Sequence, residues 1–396
     1  MSAAANKASM LVAGIMSGTS ADGIDVALCR ITHPRQGARA PATKIELLRH
    51  RAFPFTAPLR RAVLQAQDAQ NTSAAELARL NWRLGEAYGE AVQAAAQGYV
   101  LDLVGCHGQT IYHQGVAASY AGRRFSCTWQ LGEPALIAAA VRAPVVSNFR
   151  PADMVAGGQG APLVPLLDAT VFAHPRRARV LQNLGGIANL TVVPAGGALD
   201  AVLAFDTGPA NMVIDALAQR LFSKPYDRGG RLAAGGTPNE AVVSALLRDP
   251  YYRREPPKSA GREEYGAAFV ERILAAARKP RLSPRDILAT ATALTARTIG
   301  LAWKQFVAPR IGSAEADYIV AGGGARNPTL MRMLGEALAP YRCRIQTTDD
   351  FGIPSEAKEA VAFALLAWHT WRQLPGNVPA ATGATHPAIL GQITYV

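Results

Sequence analysis

The stretch that decides the fold is Ser17-Gly18-Thr19-Ser20-Ala21-Asp22-Gly23-Ile24-Asp25, which reads SGTSADGID. An apolar run from Met10 to Met16 precedes it, and large aliphatic residues then occupy every second position from Ile24 to Leu28. Alternation of this kind is typical of a half-buried β-strand. The two runs therefore predict a β-hairpin whose tip is the polar turn.

The composition of this hairpin tip is compatible with two interpretations. Its glycines leave backbone N–H groups unshielded, and its hydroxyls and the Asp22 and Asp25 carboxylates suit a phosphate group with a hydrated Mg²⁺. Gly, Ser and Asp are equally typical of an ordinary hairpin turn. The loop taken alone leaves the choice open.

The rest of the chain predicts an α/β fold in two halves. A helix is expected over Ser73 to Ala95, with its cap among Asn71, Thr72 and Ser73, followed by a short buried strand from Leu101 to Gly105. The order hairpin, helix, strand is an α/β order. From Val180 the second half restarts the same strand-and-turn pattern. Near the end, Ser355 is predicted to cap a helix that runs to Trp371. Loops are expected at His33 to Thr43, Arg253 to Arg262 and Leu374 to Gly383.

Length and composition fit an ordered globular protein with two sizeable cores: 396 residues, 49% hydrophobic and 18% charged. The apolar segment from Ala360 to Trp368 is far shorter than the ~20 residues that span a bilayer, and no cleavable leader is evident. The four cysteines lack metal-ligand spacing. We therefore expect a cytoplasmic protein with no membrane partner.

The formal net charge of +12 is spread over basic residues that stand singly or in pairs. Nucleic-acid binding proteins usually concentrate their basic residues on one face or stripe. We therefore expect no nucleic-acid partner, and attribute the charge to a basic proteome or to anionic small substrates.

Two later turns carry chemistry. Asp206 stands at the end of a predicted strand in FDTGPAN, where open α/β sheets concentrate reactive groups, and Thr207 and Gly208 add donors for phosphate. The alternative for Asp206 is a turn-capping carboxylate that bonds the Gly208 N–H. In GGGARN the run Gly322 to Gly324 would let a flat group approach the backbone. The signatures GxxxxGK[ST], GxGxxG and the protein-kinase set are absent, so a nucleotide site must be of another type.

The order of these turns resembles the superfamily of acetate and sugar kinases, Hsp70 and actin. Within it, seven blocks are closely similar to the anhydro-N-acetylmuramic acid kinase family, and the resemblance extends from about Val12 to the final LGQIT. The blocks are GIMSGTSADGIDVAL, HGQTIYH, QLGEPALIA, GGQGAPLVP, QNLGGIANLT, FDTGPAN and GGGARNPTLM.

The resemblance implies a two-domain, actin-like ATPase fold with a central cleft. Residues 1–145 with 361–396 would form the subdomain that carries the ATP phosphate hairpin, and residues 146–360 would form the other. The implied reaction opens the 1,6-anhydro bridge of an amino sugar with water and transfers the γ-phosphate of ATP to O6. The resemblance also implies a homodimer.

The resemblance assigns roles to matching residues. Asp206 would be the general base. ATP would be bound by Gly18, Thr19, Ser20, Ala21, Asp22, Gly23, Ile24, Asp25, Thr207, Gly208, Gly322, Gly323, Gly324 and Asn327. The sugar would be contacted by His107, Gln109, Thr110, Arg150, Asp153 and Glu359. For His107 we expect an orienting role, and Glu359 has the alternative of a solvated helix face. No direct metal ligand is implied, because Mg²⁺ would be held through ATP and water near Asp22 and Asp25.

Three positions depart from the family pattern. Ala210 stands where Gly is usual and so requires a backbone without positive φ. Cys106 replaces a common Ser, and the segment from Phe149 to Asp153 reads FRPAD. Two other functions stay open: another sugar kinase of the superfamily, which would phosphorylate directly, or a non-catalytic nucleotide-binding regulator. The presence of Asp206 argues against the regulator.

Overall fold

Two α/β units are formed by different parts of the chain. The computed structural model describes residues 7–33, 43–68, 72–312, 315–341 and 343–396. One unit comprises Met1–Val171 with Ala357–Val396, and the other comprises Phe172–Glu356. The α/β class predicted from the sequence is confirmed.

The strands within the described residues are β1 (Ser9–Ser17), β2 (Gly23–Thr32), β3 (Lys44–Pro54), β4 (Leu103–Tyr120), β5 (Arg123–Leu131), β6 (Val145–Ser147), β7 (Ala178–Leu184), β8 (Ile187–Val193), β9 (Leu203–Pro209), β10 (Ala316–Ala321), β11 (Cys343–Thr347) and β12 (Gln392–Thr394). The helices are α1 (Ala57–Asp68), α2 (Ala74–Ala95), α3 (Pro134–Val141), α4 (Arg150–Val155), α5 (Pro165–Phe172), α6 (Asn211–Phe222), α7 (Arg231–Ala234), α8 (Glu240–Leu246), α9 (Arg262–Tyr265), α10 (Ala267–Arg278), α11 (Pro284–Ala302), α12 (Ala308–Ile311), α13 (Pro328–Leu338), α14 (Lys358–Trp371) and α15 (Pro379–Thr382).

The two sheets share one strand arrangement. The first has the order β12-β6-β4-β1-β2-β3, with β5 paired to β4, and the second has the order β11-β10-β7-β8-β9. In each, three consecutive antiparallel strands are followed by a strand parallel to the first of them, β4 on β1 and β10 on β7. The second half of the chain therefore does restart the pattern of the first.

The division of the chain differs from the predicted boundary after residue 145. The structure places this boundary after Val171. The reason is β6, which pairs with β4 and with the C-terminal strand β12 and so keeps the residues that follow it with the first sheet. The return to the first unit comes at Ala357, close to the predicted residue 361.

Helix α14 packs directly on the backbone of the first sheet. A Cβ at Gly14 would lie 1.8 Å from the Ala360 carbonyl oxygen, and one at Gly105 would lie 2.2 Å from that of Phe363. These two glycines therefore permit a close approach between β1, β4 and the helix. The helix carries Glu359 at its first turn.

We expect Gly14→Ala to lower the free energy of unfolding by about 2–3 kcal/mol, because the new methyl group must displace a helix backbone. Chemical denaturation measures this loss in the free energy of unfolding. The matched control is Gly335→Ala inside α13, where the nearest heavy atom to a new Cβ lies 3.9 Å away and a gain of up to ~1 kcal/mol is expected. Equal effects of the two substitutions would contradict the packing argument.

The local predictions have mixed outcomes. The hairpin is confirmed, with Met16 opposite Asp25, and so is the helix cap at Ser73, whose Oγ accepts a hydrogen bond from Glu76 N at 3.2 Å. Ser355 is not the cap of α14: the helix begins at Lys358, and Ala357 precedes it without a side-chain cap. Asn71 and residues 34–42 of the predicted loop lie outside the described residues.

Strand β4 extends much further than the predicted end at Gly105. It continues to Tyr120 and pairs with β5 as a two-stranded ribbon. The pairing register shifts between Thr110 and Tyr112 and again between Gln114 and Ala118. Such bulges change which face a side chain occupies, so simple alternation in the sequence does not reveal the strand.

Candidate active site

The hairpin turn of the first unit is held by Gln109 and leaves its hydroxyls exposed. The Gln109 amide accepts a hydrogen bond from Ser17 Oγ at 2.5 Å and donates one to the Gly18 carbonyl at 3.0 Å. Within the turn, Ala21 N donates to Gly18 O at 3.1 Å, and Ala21 has a φ of 54°. Gln109 is fully buried, so its role is to shape this turn and not to contact the sugar directly.

The predicted phosphate-binding residues of the turn differ in how open they are. Thr19, Ser20 and Asp22 are exposed. The Asp22 carboxylate lies 3.7 Å from Arg60 Nη2, whereas Asp25 Oδ1 lies 2.9 Å from His50 Nε2 and is partly committed to that contact. The Ile24 side chain is buried in the core beneath the turn, and a Cβ at Gly23 would lie 2.4 Å from the Phe53 carbonyl oxygen.

His107 and Arg150 form the centre of the predicted sugar side. Arg150 donates to His107 Nε2 from Nη2 at 2.8 Å and from Nε at 3.1 Å. Arg150 also donates to the Gly160 carbonyl at 2.7 Å, which ties it to the GGQG loop. Burial, and secondarily the charge of Arg150, hold the pKa of His107 well below its usual value. His107 is therefore neutral and accepts at Nε2, which supports an orienting role over proton transfer.

Glu359 belongs electrostatically to the same cluster. The surrounding protein raises the pKa of its carboxyl group, while the charges of Lys358 and Arg150 oppose that rise. The side chain keeps solvent access. The charge of Glu359 is thus coupled to that of Arg150, and its predicted contact with the sugar stays a prediction.

Three residues near Thr110 were missed by the sequence analysis. Gln130 Nε2 donates to Thr110 Oγ1 at 3.3 Å and to Thr128 Oγ1 at 2.8 Å, and Thr128 Oγ1 lies 3.0 Å from His113 Nδ1. Burial and Arg150 lower the pKa of His113 to about 4. In the sequence, Thr128 and Gln130 fall in the TWQ stretch that precedes LGEP. Strand β5 carries this stretch and places Gln130 opposite Thr110.

The Asp153 carboxylate is held by other parts of the first unit. It is fully buried and accepts hydrogen bonds from Asn377 at 2.8 Å, Thr382 at 2.7 Å and the Gly160 backbone at 2.7 Å. Both oxygens are thus used by protein donors, and Asp153 joins the C-terminal segment to the loop that also binds Arg150. Its predicted contact with the sugar stays a prediction.

In the second unit, a β-bulge determines the placement of Asp206. On β9, Asp206 pairs with Asn189 and Gly208 pairs with Ala188, which leaves Thr207 as the extra residue. The buried Thr207 hydroxyl donates to the Ala188 carbonyl at 3.0 Å. Bulges of this kind re-aim neighbouring side chains. The Thr207 hydroxyl is thus used inside the sheet, and its predicted contact with phosphate stays a prediction.

Asp206 is covered by the segment that follows Tyr252. Its N–H donates to the Lys258 carbonyl at 3.0 Å, and its Oδ2 accepts from Ala260 N at 2.8 Å. The Tyr251 hydroxyl donates to the Asp206 carbonyl at 2.9 Å. The hydrogen-bond partner of the carboxylate is therefore Ala260, and not Gly208 as the turn-capping alternative required.

Burial raises the pKa of Asp206 to about 7, and the nearby Glu264 and Glu263 carboxylates add to the rise. A carboxylate whose pKa lies near neutrality is matched to general base catalysis at physiological pH.

The glycine run after β10 presents one open position between two packed ones. Gly322 has a φ of 85°, and a Cβ there would lie 2.4 Å from Asn183 Oδ1, while a Cβ at Gly324 would lie 2.6 Å from Leu184 Cβ. Gly323 is exposed, and a Cβ there would lie 3.8 Å from its nearest heavy atom. Asn327 is buried and caps α13 through a hydrogen bond from Leu330 N at 3.0 Å, so it positions the turn.

A second hairpin turn, Gly185–Gly186, was missed. It joins β7 to β8, as the first polar turn joins β1 to β2. The turn carbonyls accept hydrogen bonds from the start of α6: Asn211 N donates to Gly185 O at 3.0 Å, and Met212 N donates to Gly186 O at 3.0 Å. The nearby Ala210 has a φ of −138°, so its backbone avoids positive φ, as the replacement of glycine requires. In the sequence, the two adjacent glycines of the block QNLGGIANLT indicate this turn.

Over the parts of the chain that the structure describes, no helix has both the length and the apolar character needed to cross a membrane. The same residues contain no group of three or more His, Cys, Asp or Glu side chains arranged to hold a metal ion.

Comparison with known proteins gives the family. The family model for anhydro-N-acetylmuramic acid kinase matches residues 10–396. The chain belongs to this family. A member from Salinibacter ruber is 47% identical over 389 residues, covering 97% of this chain and 96% of that protein. A member from Bacillus cereus (strain AH187) is 42% identical over 391 residues, covering 98% and 99%.

Solved structures give weaker similarities. An activator of 2-hydroxyisocaproyl-CoA dehydratase from Clostridium difficile with bound ADPNP has a TM-score of 0.43 at 14% identity, covering 92% of this chain and 96% of that one. A ROK family glucokinase from Streptomyces griseus in complex with glucose and AMPPNP has a TM-score of 0.35 at 14% identity, covering 90% and 99%.

Family membership confirms the predicted family and the predicted kinase activity. The chain is a kinase that acts on a small sugar. The residue roles proposed below rest on the contacts described above.

Proposed function

We propose that this chain opens the 1,6-anhydro ring of 1,6-anhydro-N-acetylmuramic acid with water and phosphorylates O6 with ATP. The products are N-acetylmuramic acid 6-phosphate and ADP, as needed in bacterial peptidoglycan recycling. The observation that carries the mechanism is Asp206: a carboxylate re-aimed by a bulge, fixed by Ala260 N at 2.8 Å, and with its pKa raised to about 7.

In the proposed reaction, Asp206 accepts a proton from the water that attacks the anomeric carbon. The water oxygen forms a bond to C1 and the bond between C1 and O6 breaks. O6 uses the released electron pair to attack the γ-phosphorus, and ADP leaves. Asp206 must be ionised to act, and a pKa near 7 makes it a stronger base than an ordinary aspartate.

The residues present fit the phosphate groups of ATP. In the first unit, the exposed Thr19 and Ser20 hydroxyls and the Gly18 backbone offer donors. In the second unit, Gly185–Gly186 is the corresponding turn, and the exposed Gly323 would let the adenosine approach the backbone. Mg²⁺ bound to the phosphates would neutralise charge in the transferred group, with the exposed Asp22 and the partly committed Asp25 holding it through water.

The residues of the first unit that would orient the sugar are Arg150, Glu359 and Thr110. Guanidinium and carboxylate groups suit the polar substituents of an anhydro-muramic acid, whose lactyl group is a carboxylate. His107 holds Arg150 through its Nε2. Gln109 would act indirectly by positioning the hairpin turn, and Asp153 by positioning the GGQG loop. We further propose a cytoplasmic homodimer with no nucleic-acid partner.

A labelled-water assay tests the reaction. Purified protein with Mg-ATP and the anhydro sugar in H₂¹⁸O is expected to give a 6-phosphate that carries one ¹⁸O at C1, detected by mass spectrometry. A brief quench keeps exchange at the anomeric carbon low, and N-acetylmuramic acid 6-phosphate incubated alone provides the exchange control. A 6-phosphate that retains the anhydro bridge, or lacks the label beyond the control, would contradict ring opening by water.

A further inference from the structure

The segment that covers Asp206, Arg254 to Gly261, contains a buried lysine. We call this segment the Asp206 strap. Lys258 is 6% exposed, and its Nζ lies 4.6 Å from the ring centre of Phe306, 5.1 Å from that of Tyr251 and 5.5 Å from that of Phe205. The ammonium donates to the carbonyls of Tyr251 at 3.2 Å and Tyr252 at 3.3 Å.

A buried cation in this place has to be explained. Removing an ammonium from water is costly, whereas an aliphatic side chain would fill an aromatic cage without that cost. Cation–π contacts and the hydrogen bonds to two carbonyls offset part of the free-energy cost of removing the ammonium from water. The Lys258 carbonyl accepts the Asp206 N–H at 3.0 Å, so the lysine backbone lies against β9 at Asp206. Tyr251 contacts both residues, because its ring faces the Lys258 ammonium and its hydroxyl donates to the Asp206 carbonyl.

The charges around the two residues have opposite effects on Asp206. Glu263 and Glu264, both in α9, disfavour ionisation of the carboxyl group, and Lys258 favours it. Burial lowers the pKa of Lys258 to about 8; the charge of Arg254 adds to this shift, and the charges of Glu255 and Asp206 oppose it. The Tyr251 phenol is protonated at neutral pH, because burial raises its pKa above the usual range.

We propose that Lys258 is a positioning residue for Asp206: its caged ammonium fixes the strap over β9 and counteracts the two carboxylates of α9, which keeps Asp206 available as a base. This inference rests on the proposed function in one respect, namely that Asp206 accepts the proton from water. The contact between the lysine and the aspartate does not depend on it.

Lys258→Met should shift the pH dependence of kcat/KM. Loss of the cation raises the proton affinity of Asp206, so the acidic limb is expected to move up by about one pH unit. Activity near pH 6.5 would then fall by up to ~10-fold, with a much smaller loss near pH 9. Lys258→Arg keeps the charge and should retain the wild-type profile. Lys279→Met, at an exposed position in the turn after α10, is the control for general loss of charge.

A direct titration separates this inference from the proposed function. The ¹³C carboxyl resonance of Asp206, identified by its loss in Asp206→Asn, is followed against pH without substrate. A higher titration midpoint in Lys258→Met confirms the coupling, and an unchanged midpoint overturns it. A shifted midpoint together with normal turnover in Asp206→Asn would instead overturn the role of Asp206 as base.

A second variant keeps the test decisive if Lys258→Met fails to fold, as judged by circular dichroism. Glu263→Gln removes one opposing carboxylate from an exposed position. It should lower the Asp206 midpoint and move the acidic limb of kcat/KM down. An unchanged midpoint in this variant would show that neighbouring charge does not control Asp206, which also overturns the inference.

Discussion

The Asp206→Asn variant is expected to lose turnover by at least ~10² while becoming more stable than the wild type at pH 8. The amide can still accept the hydrogen bond from Ala260 N, so the strap keeps its contact, but it cannot accept a proton from water. ATP binding should change little, because Asp206 does not belong to either of the turns proposed to bind the phosphates. Steady-state kinetics and nucleotide titration measure the two effects.

The stability gain follows from the raised pKa. The Asp206 carboxyl group has a pKa of about 7 in the folded chain and an ordinary value of 3.8. Between these values the folded state holds a proton that the unfolded state has released, so stability falls as pH rises and the full cost is present above pH 7. Asn does not ionise. The Asp206→Asn variant should therefore have a free energy of unfolding about 2–4 kcal/mol above that of the wild type at pH 8, and a smaller gain at pH 5.

Thermal melts at pH 5 and pH 8 test this, with the exposed Asp200→Asn as the matched control. The control should show no pH-dependent gain. Unchanged turnover in Asp206→Asn would remove Asp206 as the base, and a gain that is equal at both pH values would contradict the raised pKa.

Lys358→Met is expected to destabilise the first unit by about 3–5 kcal/mol, because it leaves a buried carboxylate without its cation. Lys358 Nζ lies 2.7 Å from Asp168 Oδ1, and the two side chains are 8% and 2% exposed. The pair connects α5 to the first residue of α14. Denaturant unfolding measures the loss.

The control for this pair is the double variant Lys358→Met with Asp168→Leu. It removes both charges and fills the space with apolar groups, which is often close to neutral for a buried ion pair. Recovery of most of the lost stability would identify the unpaired carboxylate as the cause. A double variant as unstable as the single one would contradict the ion-pair explanation.

The sequence predicted the features that depend on neighbouring residues. The hairpin around SGTSADG, the cap at Ser73 and the glycine-rich turn after β10 are local patterns, and the structure contains each of them. The predicted turn in FDTGPAN is wrong, because Asp206, Thr207 and Gly208 lie inside β9, which continues to Pro209. Ser355 shows the limit of local reasoning, because the start of α14 is set by its packing against β1 and β4.

The features that the sequence analysis missed depend on residues far apart in the chain. The cage of Lys258 combines Phe205, Tyr251 and Phe306, so no spacing rule reveals it. Asp153 is bonded by Asn377 and Thr382, more than 220 positions later. The raised pKa of Asp206 has the same origin, since its main cause is burial by the folded chain.

The C-terminal segment has a consequence for biosynthesis. The second unit is one continuous stretch, Phe172–Glu356, whereas the first needs Ala357–Val396 to complete it. Until that last stretch leaves the ribosome, β1 and β4 lack the helix that lies against Gly14 and Gly105, β6 lacks its partner β12, and Asp153 lacks two of its donors. The second unit is therefore able to fold before the first, and the contacts of Asp153, which bonds the same loop as Arg150, are completed only after Thr382 has been made.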